Sequence, residues 1–341
     1  MRTAVIRVLV THADEPIGRG VVKRLARDPR VHAIFAVGSG PTPRAFDALL
    51  AGDGPPAHYA RAVLSRHRGA SDLFHAQRFR EAEIDTIVHL PPHAREREPT
   101  SSPWAGLTEI TAETRLVVQH ALEVRSVRNL VALGSAYVYR LHPGNANRLT
   151  EDSELDLDPR VAPEIRAWID ADMIVHGEVH SERLRVVLLR APTVVGKRGD
   201  LFLSPLLHPE RPLARATGFD PLCPVISHQD VLRAIEAAVF AQKSGIYNVS
   251  GREVLPLSEL VRAAGRSAWS LPHPLLGAWG AGARLFGAGW RRLPYQGPAL
   301  RYGFSLDTRR AERELGFRPA DRIGAAPAAD GAPRLEATSG G

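Results

Sequence analysis

The sequence predicts an α/β protein: a parallel β-sheet covered by helices on both faces, followed by a smaller C-terminal lobe. Two observations carry this. Short apolar runs alternate with helical patterns from the start of the chain to about residue 190, and after Pro192 that alternation loosens. The 341 residues are enough for one large domain or two modest ones.

Taken in order, Val5 to Thr11 reads as a buried strand, Ile17 to Arg27 as a helix and Val31 to Val37 as a second strand. Residues 57–63 give a weaker third strand, and Ile84 to Leu90 a clear fourth. A long helix covers Leu107–Val124, Val127 to Ser135 makes a fifth strand, and a helix over Pro163–Ser181 leads into the strand Leu184 to Arg190. Such βαβ alternation specifies the doubly wound, Rossmann-type parallel sheet. Residues 197–224, rich in Pro, Leu and Arg, read as irregular. A short strand at Pro224–Ile226, a helix at Asp230–Ala241 and a strand at Ile246 to Val249 then return to the sheet, and Leu257–Ala264 starts another helix. The expected organisation is a core of residues 1–196 with 224–250 returning to it. Residues 197–223 and 251–320 form the smaller lobe, and 323–341, rich in Ala, Gly, Pro and Ser, form a disordered tail.

Composition narrows the function classes. Hydrophobic residues are 44% and charged residues 24%, ordinary for a globular chain. The single cysteine, Cys223, excludes an internal disulfide framework and multi-cysteine metal centres. No apolar run approaches the ~18 residues that span a bilayer, and residues 1–10 read as a strand, not a secretory signal. A cytoplasmic protein is expected. The formal charge is +7, yet of 44 basic residues only Lys23, Lys197 and Lys243 are lysine, and the arginines are scattered. That pattern predicts a modest attraction for anionic ligands and no nucleic-acid groove.

Seven short stretches occur in a recognisable order: Val88-His89-Leu90; Ser135-Ala136-Tyr137-Val138-Tyr139; Thr150-Glu151-Asp152; Leu189-Arg190 to Val194-Val195-Gly196; His228-Gln229-Asp230-Val231; Gly245 to Gly251; and Asp307 to Phe317. Together they make the chain resemble the extended short-chain dehydrogenase/reductases of the NAD-dependent epimerase/dehydratase family, over about residues 4–320. The resemblance implies a Rossmann core that binds NAD or NADP and a C-terminal substrate lobe. It implies a small-molecule ligand, mainly a nucleotide sugar, in the cleft between them. It also implies a homodimer paired through the helices after strands four and five.

The functional positions depart from that family. Its dinucleotide loop, Thr-Gly-x-x-Gly-x-x-Gly, is here Thr11-His12-Ala13-Asp14-Glu15-Pro16-Ile17-Gly18, and only Gly18 of the glycines remains. The missing glycines serve the tight turn and the close approach of pyrophosphate to backbone. Asp14 and Glu15 bring carboxylates to the helix N-terminus that should receive phosphate; one such charge ~5 Å from a phosphate charge costs about 3 kcal/mol at an effective dielectric of about 20. The plainer reading is that Asp14 or Glu15 caps the helix, with Pro16 in its first turn. The acidic residue expected at the end of strand two aligns with Gly38, the aspartate expected after strand three with Val63, and an asparagine of the following long helix with Ile110. Arg44 could suit a 2′-phosphate but reads as a solvated loop residue. Pro91-Pro92 stand where small residues are expected after strand four.

The family's chemistry uses a Ser or Thr with a Tyr and Lys four residues apart on a helix, the lysine lowering the tyrosine's pKa. Ser135 matches. The expected alignment puts Trp168 at the tyrosine and Asp172 at the lysine, so the proton relay is absent. Alternatives are weaker. Tyr137 and Tyr139 should share the strand face of Ser135. His176 lies one turn after Asp172, so a Ser135–His176–Asp172 arrangement is conceivable, but no nucleophile elbow accompanies it. His176 and His180 have metal-ligand spacing without a third ligand, so no metal site is expected.

Two functions remain open: a catalytically degenerate member serving as a ligand-binding, regulatory or partner subunit, and an active NAD(P)-dependent oxidoreductase or epimerase with altered cofactor binding. Residues 271–292, with Trp279, Trp290 and Arg284, could meet an anionic membrane surface. Their five glycines disfavour an autonomous helix and favour packing on the smaller lobe.

Overall fold

The computed structural model describes residues 5–52, 54–90, 92, 105–159, 161, 163–195, 213–263, 268–272, 275, 302–327 and 333–339. The strands β1 (Ile6–Val10), β2 (Val31–Gly38), β3 (Ala57–Arg61), β4 (Thr86–His89), β5 (Asn129–Ser135), β6 (Arg185–Ala191) and β7 (Gly245–Asn248) form one sheet. Every neighbouring pair is parallel, in the order β7-β6-β5-β4-β1-β2-β3. The chain runs outward from β1 to β3, then restarts at β4 on the other side of β1. The carboxyl ends of β1 and β4 therefore mark the topological switch point, where doubly wound sheets bind ligands.

The strands are apolar throughout because both faces are covered. Val8 and Val10 of β1, Val131 and Leu133 of β5 and Val187 and Leu189 of β6 enter one core. That core also holds helix α1 (Pro16–Leu25) and helix α5 (His228–Val239). The intervening residues Leu9, Leu130, Ala132, Val186 and Leu188 point the other way. They meet α2 (His67–Phe74), α3 (Ala105–Glu123) and α4 (Pro163–His176). The helix expected to run to Ser181 ends at His176, so His176 and His180 do not share a helical face.

Beside the sheet, Leu222–Ser227 pairs in parallel with Thr193–Val195 and antiparallel with Val254–Pro256. Leu213–Ala216 pairs with Ala268–Leu271. Most of residues 271–292 lie outside the described residues. The tail expected to be disordered from Ile323 is a correction: Asp321–Pro327 pairs antiparallel with Pro333–Ser339. The physical reason is an anchor that composition does not register. Asp321 accepts the Ser227 hydroxyl at 2.7 Å and Arg233 at 2.9 Å, and Asp230 accepts the backbone N–H groups of Ala320 and Asp321 at 2.9 and 3.1 Å. Ile323 is buried against Val225, Leu257 and Leu260.

Candidate functional site

The turn after β1 lies at the switch point. Thr11 is fully buried; its N–H donates to Val88 O (3.0 Å), and its hydroxyl lies between the Leu90 N–H (2.9 Å) and Leu90 O (3.2 Å). His12 follows with φ +48°, in the left-handed region that a glycine would enter without strain. The backbone thus keeps a tight turn while a side chain larger than glycine's is carried through it. That side chain points at α3: His12 Nε2 lies 2.5 Å from Glu113 Oε1, and the glutamate is 3% exposed. Burial opposes a charged ring, but the Glu113 charge and hydrogen bond outweigh it, with Glu15 and Asp14 adding, so the His12 pKa is raised.

A second imidazole lies beside this pair. His89, at the end of β4, places Nδ1 3.3 Å from the Thr11 hydroxyl and Nε2 3.0 Å from Thr114 Oγ1. The Thr114 hydroxyl donates to Ile110 O at 2.8 Å, so it accepts from His89, which places the His89 proton on Nε2. Burial pushes the His89 pKa down to about 4, and the ring is neutral at pH 7. Glu113 was not singled out in the sequence. The signal for it is a carboxylate at i on the stripe that buries Val117 and Ala121 at i+4 and i+8.

The remaining cofactor positions are also filled. Neither carboxylate caps α1 as expected: Glu15 holds the N-cap position without a side-chain cap hydrogen bond, while Pro16 does begin the helix. Asp14 instead reaches the end of β2, where Oδ2 accepts the Gly40 N–H at 2.8 Å. The Tyr59 hydroxyl donates to Gly40 O at 2.8 Å. A Cβ on Gly38 would lie 2.4 Å from Asp14 Oδ1 and 2.5 Å from the Tyr59 oxygen, so this strand end is occupied by the chain's own polar groups. Gly18 is required for packing, since a Cβ there would meet His12 O at 2.0 Å. Val63 is 43% exposed after β3, and Arg44 is exposed. These residues do not fit a dinucleotide: the turn that would cradle pyrophosphate carries an imidazole fixed to a buried carboxylate.

Ser135 is fully buried, and its Oγ accepts the Tyr137 N–H at 3.1 Å. The expected shared strand face is a correction, because β5 ends at Ser135 and Ala136–Val138 form a 3-10 turn. Tyr137 faces Thr193 (2.9 Å) and packs edge-on to Phe304. Tyr139 donates to Asn248 Oδ1 at 2.6 Å and accepts from Arg190 at 3.0 Å. Burial raises both phenols, Tyr139 to about 12 against the pull of Arg190. Neither is an acid/base near neutrality.

Trp168 lies in an apolar cluster with Ile110, Val138 and Ile169. Asp172 turns into the protein and holds Arg190 of β6 through two bonds of 2.8 Å, with both side chains 1% exposed. Arg190 also reaches Glu151 O at 3.1 Å, and Glu151 accepts the Asn248 N–H at 2.9 Å. This network joins the Ser-Ala-x-Val-Tyr, Thr-Glu-Asp, Leu-Arg and Tyr-Asn stretches, so those motifs here serve structure. The conceivable Ser135–His176–Asp172 arrangement is not assembled: Asp172 is committed to Arg190 and His176 is exposed. Among the described residues no hydrogen bond joins Ser135 to either.

No protein-family model matches the chain. Uncharacterized proteins of Mycobacterium tuberculosis (Rv0501) and Mycobacterium bovis (Mb0513) are 29% identical over 320 residues, covering 92% of this chain and 80% of theirs. Among solved structures, UDP-glucuronic acid 4-epimerase from Bacillus cereus in complex with NAD superposes with a TM-score of 0.62 at 16% identity, over 92% of this chain and 93% of that one. The dTDP-glucose 4,6-dehydratase DesIV from Streptomyces venezuelae, with NAD and TYD bound, gives 0.66 at 20% identity over 96% and 94%. UDP-glucose 4-epimerase from Bifidobacterium longum, with NAD+ and UDP, gives 0.64 at 16% identity over 92% and 93%. The chain therefore has the fold of the extended short-chain dehydrogenase/reductases, that of the NAD-dependent epimerases and dehydratases it resembles.

Proposed function

We propose that this chain is an epimerase/dehydratase-like protein whose dinucleotide cleft is closed by its own side chains. It would act as a ligand-binding, regulatory or partner subunit and not through Tyr–Lys hydride chemistry. The observation that carries this is the His12–Glu113 pair at 2.5 Å, in the turn where the resembled family places glycine against pyrophosphate. Displacing the imidazole would leave Glu113 buried without its counter-charge, facing an incoming dianion. The loss of the relay at Trp168 and Asp172 supports the same reading.

The test is a thermal-shift and fluorescence titration with NAD, NADH, NADP and NADPH. A ligand at 100 times its Kd adds about 2.7 kcal/mol of stability, an easily seen shift. No shift is expected with NAD or NADH, which carry no phosphomonoester. The double variant His12→Gly/Glu113→Ala, which empties the turn, is expected to gain one. Saturable low-micromolar binding of NAD or NADH by the unaltered protein would overturn the proposal and favour an oxidoreductase or epimerase with altered cofactor binding.

A further inference from the structure

At the opposite end of the sheet, where the strands begin, a second pocket of about 630 Å3 opens. Its wall includes Arg7, Arg30, Asp85, Arg128, Arg185 and Phe240. Four arginines line it, from the starts of β1, β2, β5 and β6. Two are committed. Arg30 forks onto Asp28 at 2.9 and 2.7 Å and lies over the Phe240 ring, and Arg7 pairs with Glu83 at 3.3 Å. The other two are not. Arg185 donates from one terminal nitrogen to Val239 O at 3.0 Å, but its buried Nε has no hydrogen-bond partner. The Arg128 side chain is exposed and makes no hydrogen bond or ion pair among the described residues.

Two acids share the lining, Glu83 and Asp85, and Asp85 interacts electrostatically with Arg128 and Arg185 but makes no hydrogen bond to either side chain. Asp85 has one oxygen accepting the Arg7 N–H at 2.9 Å and the other accepting the Thr86 hydroxyl at 2.6 Å. A buried donor left unpaired is costly, and guanidiniums match phosphate oxygens in geometry as well as charge. The volume falls within the ~300–1,000 Å3 of small-molecule sites and exceeds what an inorganic anion fills. We propose that this pocket binds an organic phosphate, its phosphoryl group held between Arg128 and Arg185 and its organic body occupying the rest. Arg128 and Arg185 together offer more donors than a monocarboxylate can use, and Asp85 beside them offsets part of their charge. The arginine excess of the whole chain supplies a field of the right sign. Doubly wound sheets bind ligands at their carboxyl ends, so this site is separate from the closed cleft.

The experiment is isothermal titration at low salt with AMP, inorganic phosphate and acetate as probes. AMP is expected to bind saturably at one site, phosphate more weakly and acetate not at all. Arg128→Glu, a change at an exposed position whose folding is checked by its melting temperature, is expected to weaken AMP by at least about tenfold. Arg61→Glu, at the carboxyl end of β3, is expected to leave AMP binding unchanged. The proposal is overturned if AMP and phosphate both fail to bind, if acetate binds as well as phosphate, or if Arg128→Glu binds AMP as the unaltered protein does. Loss on Arg61→Glu with retention on Arg128→Glu would place AMP in the cleft and also overturn it.

Discussion

The two buried histidines at the switch point respond to pH in opposite senses. His12 has its pKa raised above the ordinary 6.5, because Glu113 outweighs burial. Its contribution to stability is complete below about 6.5 and is lost as pH rises through the raised value. His89 has its pKa lowered to about 4, so its contribution is complete above about 6.5 and is lost as pH falls toward 4. Urea denaturation should therefore show the protein losing about 2 kcal/mol through His89 between pH 6.5 and 4.5, a slope that His89→Gln removes. Glu113→Gln removes the charge that supports the His12 imidazolium. By NMR titration the His12 ring should then titrate below its ordinary value. The urea midpoint at pH 6 should fall by about 3 kcal/mol in equivalent stability, the scale of a broken buried pair. An unchanged His12 titration would show that the pair is not ionic.

At the level of elements, α4 is tied to the sheet by one buried charged contact, between Asp172 and Arg190. Asp172 and Arg190 are both fully buried, so removing one partner strands the other. Asp172→Ala should cost about 3–5 kcal/mol, read from the urea midpoint. Rebuilding the family pair with Trp168→Tyr/Asp172→Lys should not yield a dehydrogenase or epimerase. It sets a second cation against Arg190 and reduces the apolar cluster around Ile110 and Val138. A folded double variant with the stability of the parent would contradict this account of α4. The hairpin Asp321–Pro327 and Pro333–Ser339 depends similarly on one residue, and Asp321→Ala should release it to limited proteolysis while the sheet stays protected.

For the molecule as a whole, α3 and α4 pack side by side, and Thr111 on α3 donates to Ala167 O on α4 at 3.4 Å. Met173 on α4 is 50% exposed. We propose that these two helices pair with those of a second copy, so light scattering at tens of micromolar should give twice the chain mass. Met173→Glu should halve it, and a monomeric mass for the unaltered chain would end the proposal. Among the described residues no helix is long and apolar enough to cross a membrane.

Much of the fold was legible in the residues, because strands buried on both faces must be apolar at every position. Val8, Leu9 and Val10 declare β1 without help from their partners, and the same holds for Val186 to Leu189. Four of the seven ordered stretches were legible for a physical reason, since the Arg190–Tyr139–Glu151–Asn248 network needs particular residues at particular points. The loss of glycine at His12 and of the Tyr–Lys pair could be read from identity alone. What replaced them could not. His12 meets Glu113 across a separation of 101 residues, and Asp172 meets Arg190 between a helix and a strand. The destination of Asp14 depended on how the β2 end folds back. The tail followed the same rule: its local composition predicts disorder, but Asp321 draws its order from Ser227, Asp230 and Arg233. Sequence patterns by themselves determined the sheet and which residue types stand in the resembled motifs, because periodicity and residue identity are local. Only the tertiary structure decided which buried charge answers which, because that depends on distances set by the packed whole.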